Sequence, residues 1–140
     1  AGDEINLLKP NKNYGWPIAS YGENYSFKYN RNNYELKKSH KDYGFEEPIF
    51  TFVPAIGISQ IIAVPENFHN LWKDNNFLVS SLNGRSIYRV KFDEKFQKVI
   101  FAEKIFVGER IRDIIYNKEF NAFILGLEDS GSIGFFKPIK

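Results

Sequence analysis

An all-β fold is what this sequence of 140 residues predicts. From Pro48 onward, short runs rich in Ile, Val, Phe and Tyr alternate with turn residues, which is the pattern of strands. The one stretch suited to a helical turn, PENFHNLWKDN (residues 65–75), is too short and too rich in Asn for a helix. The chain also resembles itself. FLVSSLNGRSIYRVK from Phe77 lies over FILGLEDSGSIGFFK from Phe123 without a gap, at an offset of 46 residues. Phe77 meets Phe123, Val79 meets Leu125, Ser86 meets Ser132, Ile87 meets Ile133 and Lys91 meets Lys137. Each copy reads strand, tight turn, strand, and a period in the forties suits a four-stranded β-propeller blade.

The elements follow in order. EINLL (residues 4–8) reads as a short strand stopped at Pro10, which lacks a donor. Residues 11–47 read as a long loop, crowded with Asn, Lys, Tyr, Gly and Ser; loops of that length in compact domains are usually functional or mobile. Strands are then expected at residues 49–53, 59–64, 76–81, 86–92, 99–106, 110–117, 120–127 and 132–137. The expected division is a strand with a long loop over 1–47, one blade over 48–107 and a partial blade over 108–140.

Composition bounds the function. A formal net charge of +2, with Lys and Arg scattered along the chain, argues against nucleic acid and requires any anion site to be local. With no cysteine, disulfides and thiolate metal sites are excluded. No apolar run approaches the roughly 18 residues of a membrane span. The chain opens Ala-Gly-Asp with no apolar leader, as expected of a processed or truncated start. Propellers close with four to eight blades, and a chain of this length supplies about two to two and a half. It is therefore expected either to be part of a larger propeller or to complete one by self-association, because lone blades leave open strand edges.

Candidate site residues are few. Arg110 and Arg112, in GERIRDII, stand two apart in an expected strand, so both side chains are expected to leave on one face. A guanidinium stays charged and can grip a carboxylate through parallel N–H groups, which makes the pair a candidate anion site. The plainer reading is a solvated strand face with Glu109 or Asp113 as partners. Asp113 is expected to share a face with Ile111 and Ile115. Asn83 with Gly84 reads as a two-residue hairpin turn. Tyr14 and Trp16 in NYGWP offer flat amphipathic faces suited to sugars, with Gly15 allowing a turn, or else they pin the long loop. His40 and His69 read as solvated loop histidines.

Four stretches in order, GDEINLLKPNKNYGWP, EEPIFTFVPAIGIS, FLVSSLNGRSIYRVKF and GERIRDII, resemble the soluble PQQ-dependent glucose/sorbosone (aldose sugar) dehydrogenases. The resemblance implies a six-bladed propeller of which this chain is the C-terminal third or so. It implies a sugar substrate, PQQ as hydride acceptor, calcium in the active site and a periplasmic or secreted location. It places the catalytic histidine and the calcium ligands upstream of this chain, so no catalytic or metal-binding residue is expected here, and the isolated chain is expected to be inactive. Arg110 and Arg112 match the family's cofactor-binding pair, on a strand lining the propeller axis. Asn83 stands where the family usually has a cofactor-binding lysine, with Arg85 beside it, and Ala55 where relatives often have a hydroxyl residue. Those departures leave a second expectation open, a non-catalytic propeller module that binds an anion, a sugar or a protein.

Overall fold

The structure, a computed structural model, describes residues 2–22 and 36–139. Part of the long loop expected over 11–47 lies outside the described residues. The fold is all-β: nine strands in three antiparallel sheets, β1 (Asp3–Ile5), β2 (Phe50–Phe52), β3 (Ile58–Ala63), β4 (Asn76–Ser81), β5 (Ser86–Phe92), β6 (Val99–Phe106), β7 (Ile111–Asn117), β8 (Ala122–Leu127) and β9 (Ser132–Phe136) among the described residues. One 3₁₀ turn covers Lys41–Tyr43 where only loop was expected. Residues 65–75 form turns, closed by Phe68 N–H on Pro65 O and Trp72 N–H on His69 O, and no helix. No helix among the described residues is long and apolar enough to cross a membrane.

The chain divides into two compact units, Ala1–Ile56 and Gly57–Lys140. In the first, β1 pairs with β2 in the register Asp3↔Phe52 to Ile5↔Phe50. β1 ends at Ile5, short of the expected Leu8. Continuing the register would set Leu7 opposite Pro48, which has no N–H to give. Leu7 and Leu8 are left exposed.

The second unit holds a four-stranded meander, β3-β4-β5-β6, and a three-stranded one, β7-β8-β9. Their hydrophobic core is shared: Leu78 and Ile87 of the first sheet and Ile111, Ile114 and Phe123 of the second are fully buried in one cluster with Val64, Phe68 and Leu125. Phe68 stands edge-on to Phe123 with ring centroids 4.8 Å apart, so the turns after β3 fold an aromatic plug onto the core. The 46-residue repeat appears in the backbone. β4 and β8 span matching residues, and left-handed residues recur at Asn75 (φ 53°) and Asn121 (φ 43°), and at Arg85 (φ 48°) and Gly131 (φ 63°). The same two bends bracket each hairpin.

In the second unit the first strand of each sheet carries a bulge. In β3 the register slips between Ile58 and Gln60, and in β7 between Ile111 and Asp113, which makes Ser59 and Arg112 the extra residues. A bulge re-aims its side chain and resets the inside–outside alternation beyond it. Accordingly Ile111 and Ile114 are buried while Asp113 and Ile115 are exposed. Asp113 therefore does not share a face with Ile111; its Oδ1 accepts the Ile114 N–H at 2.8 Å.

Candidate functional site

The arginine pair sits where β7 begins beside the end of β8. Arg110 precedes the strand, one residue earlier than β7 starts. Its backbone is held to the β8–β9 turn from both sides: Arg110 O accepts the Glu128 N–H at 2.9 Å, and Arg110 N–H donates to Asp129 Oδ2 at 3.3 Å. The neighbouring carbonyl, Ile111 O, accepts from Ser59 Oγ at 2.6 Å, and Ser59 Oγ also meets Ser80 Oγ at 2.8 Å. The β3 bulge thus ties the start of β7 to the four-stranded sheet, which fixes where Arg110 and Arg112 emerge.

Both guanidiniums converge on one carboxylate. Arg110 Nε donates to Glu128 Oε1 at 3.2 Å and Arg112 Nη2 donates to Glu128 Oε2. The expected partners Glu109 and Asp113 are not the ones used: Glu109 Oε2 accepts the Ser130 N–H at 3.0 Å. Arg112 is 58% exposed, Arg110 and Glu128 about a third, so the pair is open to solvent. A third guanidinium joins from the corresponding turn of the other sheet. Arg85 Nη1 lies 3.0 Å from Asp129 Oδ2 and donates to Gly108 O at 3.1 Å. Three arginines therefore meet two acids, Glu128 and Asp129. Sequence reading missed Glu128 and Asp129; the signal for them was the repeat itself, which sets both in the turn matching Leu82-Asn83.

Asn83 is exposed in the turn between β4 and β5, which runs from Leu82 to Arg85 rather than over two residues. A two-residue type I′ turn needs positive φ at both central positions, and here Arg85 alone carries it. Ser81 Oγ donates to Ser86 O at 2.8 Å and closes the wider loop. Gly57, at φ 65°, packs beneath it: a Cβ there would stand 3.2 Å from Asn83 N, and Leu82 N–H donates to Gly57 O at 2.8 Å.

Tyr14 and Trp16 belong to the first unit. The Tyr14 hydroxyl accepts the Lys9 N–H at 2.7 Å and donates to Leu7 O at 2.9 Å, so it closes its own loop, whereas Trp16 is 74% exposed. His40 corrects the expectation of a solvated histidine. It is fully buried, stacked on Tyr21 at 5.2 Å, with Nε2 3.4 Å from Glu4 and Nδ1 3.7 Å from Glu47. Buried among an aromatic ring and two carboxylates, it belongs to the packing of the first unit. His69 is half-buried in a pocket of about 350 Å³ with Phe68, Trp72, Ile105 and Phe136, and its Nδ1 accepts the Leu71 N–H. Among the described residues, no three acidic or histidine side chains are grouped to hold a metal.

The Tyr21 hydroxyl donates to Glu47 Oε2 at 2.6 Å, and that bond, with burial, pushes its ionisation up to about 12. Burial works to raise the Glu47 carboxyl, but the bonds it accepts from Tyr21 and from the Lys41 and His40 N–H groups hold it below the ordinary range. A raised folded-state value contributes stability that is whole below the unfolded value, near 10, and is lost as pH climbs to about 12. The first unit is therefore expected to loosen across that window. Tyr21→Phe should flatten this dependence in denaturant melts taken at stepped pH; an unchanged slope would show that the bond does not form.

Comparison with known proteins decides the family. The profile of the Glucose / Sorbosone dehydrogenase family matches residues 1–134. The chain belongs to the glucose/sorbosone dehydrogenase family. It is 30% identical over 142 aligned positions to the aldose sugar dehydrogenase YliI of Escherichia coli K12, covering 94% of this chain and 34% of that protein. An uncharacterised protein of Synechocystis sp. is 27% identical over 132 residues, 94% of this chain and 30% of its own length. A crystal structure of a glucose dehydrogenase superposes with TM-score 0.78 at 25% identity over 99% of this chain and 38% of that one. The soluble aldose sugar dehydrogenase of E. coli, in its apo-form, shares the fold with TM-score 0.76 over 97% of this chain and 37% of that one. As a glucose/sorbosone dehydrogenase family member, the chain thus spans about a third of the relatives it matches, and its sheets are blades of the propeller fold.

Proposed function

We propose that this chain is the cofactor-gripping part of an aldose sugar dehydrogenase, in which Arg110 and Arg112 bind carboxylates of PQQ. The observation that carries the reading is that both guanidiniums already meet on a carboxylate, that of Glu128. That the pair can hold such a group supports the fit to a flat tricarboxylate cofactor, as does the presence of Arg85 in the adjoining turn. The chemistry such a cofactor supplies is acceptance of a hydride from the anomeric carbon of an aldose. The chain's own part is binding and orientation. Arg110 and Arg112 would neutralise and align the carboxylates, and Asn83, on the turn anchored over Gly57, would supply a neutral polar contact in place of a cation. Trp16 would offer a stacking face to a sugar, with Tyr14 shaping its loop. The blade assignment, 48–107 and 108–140, and a periplasmic or secreted location belong to the same proposal.

Titration of PQQ into the chain, followed by its absorbance, tests this. Arg110→Gln with Arg112→Gln is expected to weaken binding by about two orders of magnitude, on the order of 3 kcal/mol for two charge-assisted contacts. Equal binding by wild type and double variant would overturn it. The isolated chain is expected to show no PQQ-dependent aldose oxidation, since the base would have to come from outside it; His40 is sealed in the core of the first unit.

One observation favours a second reading. Each of the three arginines is already paired with Glu128 or Asp129, and Asn83 adds no charge, so a non-catalytic module that binds an anion, a sugar or a protein partner, or that completes its ring with further copies, would keep the same face. Arg-dependent binding of small polyanions without PQQ binding marks that case.

A further inference from the structure

We propose that Glu128 sets the selectivity of the arginine pair, acting as a built-in carboxylate that excludes monocarboxylates and yields only to ligands carrying two or more. The inference rests on the reading of Arg110 and Arg112 as an anion site. Glu128 is placed by backbone pairing and not by chance of side-chain reach. Its N–H donates to Arg110 O at 2.9 Å, and the register that sets Ile111 opposite Leu127 puts it beside both arginines. Its two oxygens each take one guanidinium, Arg110 through Nε and Arg112 through Nη2.

A monocarboxylate arriving here exchanges one carboxylate for another. The bonds to the guanidiniums are merely replaced, the displaced Glu128 leaves an additional negative charge beside the site, and as a tethered group it competes at a high effective concentration. A dilute monocarboxylate therefore gains nothing. Each guanidinium carries five N–H donors in a fixed fork, and Glu128 engages one on each. A ligand with two or three carboxylates can take the seat of Glu128 and bond further N–H groups besides, so it gains contacts that the exchange does not cancel. Glu128 is about a third exposed, so its side chain can swing to solvent when displaced. Asp129 engages different donors. It is held by both the Arg110 N–H and Arg85, and it keeps the turn in place while Glu128 moves.

The test compares wild type, Glu128→Gln and Glu128→Ala by calorimetric titration with acetate, propane-1,2,3-tricarboxylate and PQQ, at neutral pH and low salt. Removing the internal carboxylate is expected to tighten acetate about tenfold or more and the tricarboxylate by a clearly smaller factor, so selectivity falls. The gain should vanish when Arg110→Gln and Arg112→Gln are added. If both variants bind the tricarboxylate and acetate more weakly than wild type, Glu128 is a prop for the arginines and the proposal is overturned. An unchanged selectivity overturns it too. In both those cases arginine-dependent binding of PQQ by wild type would leave the anion-site reading standing; if no protein binds PQQ or the tricarboxylate, both readings fall together. Using two substitutions guards against an effect peculiar to one of them, and matching urea midpoints confirm that each variant is folded.

Discussion

Replacing Phe123 by alanine is expected to cost about 3–5 kcal/mol of folding stability. Its ring is fully buried and lies where the two sheets of the second unit and the turns between β3 and β4 all meet. Phe68, at 4.8 Å, Tyr116, at 5.2 Å, and Phe136, at 6.5 Å, surround it, so truncation opens a cavity walled by rings too large to close it. A loss of that size is a large part of the roughly 5–15 kcal/mol that holds an ordinary domain together. Urea unfolding followed by circular dichroism should show a midpoint far below wild type, with Phe123→Leu falling in between. A small shift for alanine would mean that the sheets collapse onto each other, in which case the shared core is softer than its packing implies.

Gly15→Ala is expected to destabilise the first unit by about 2–4 kcal/mol, from backbone strain and overpacking together. Gly15 holds φ at 92°, a conformation that residues with a Cβ rarely adopt. An added Cβ would also stand 3.0 Å from Ala19 Cβ, 3.0 Å from His40 Cδ2 and 3.2 Å from Phe45 Cδ2. Ala19 and His40 are both buried, so neither can retreat without disturbing its own neighbours. The loop is also pinned through Gly15 O, which accepts the Ile18 and Ala19 N–H groups at 2.7 and 2.9 Å. Hydrogen exchange read by mass spectrometry should show faster exchange across residues 15–22, with the second unit unaltered. Unaltered protection of that segment would show that the turn accepts a side chain.

Much of the fold was legible because alternation and turn chemistry are local. The strands from β3 to β9 lie within a few residues of where apolar runs and their bounding residues place them, and the 46-residue repeat recurs as matching left-handed bends at Asn75 and Asn121. Errors arose where a partner decides. β1 stops early because continuing its register would bring it to Pro48, which has no N–H to pair, and the β4–β5 turn is wider than Asn-Gly suggests because Ser81 and Ser86 close it lower down. His40 looked solvated because its segment is polar; what buries it is Tyr21, Gly15 and two glutamates that are distant or only moderately near in the chain.

The candidate site divides along the same line. By itself the sequence determined that two arginines lie two apart near a strand start, that their motif belongs with three others of one family, and that Asn83 stands where a lysine is usual. Only the tertiary structure decided which charge they meet. The β7 bulge at Arg112 resets the alternation, and the pairing of β7 with β8 carries Glu128 onto both guanidiniums from 16 and 18 residues away. Spacing along a strand specifies a direction in space, whereas the group found in that direction depends on the register between strands.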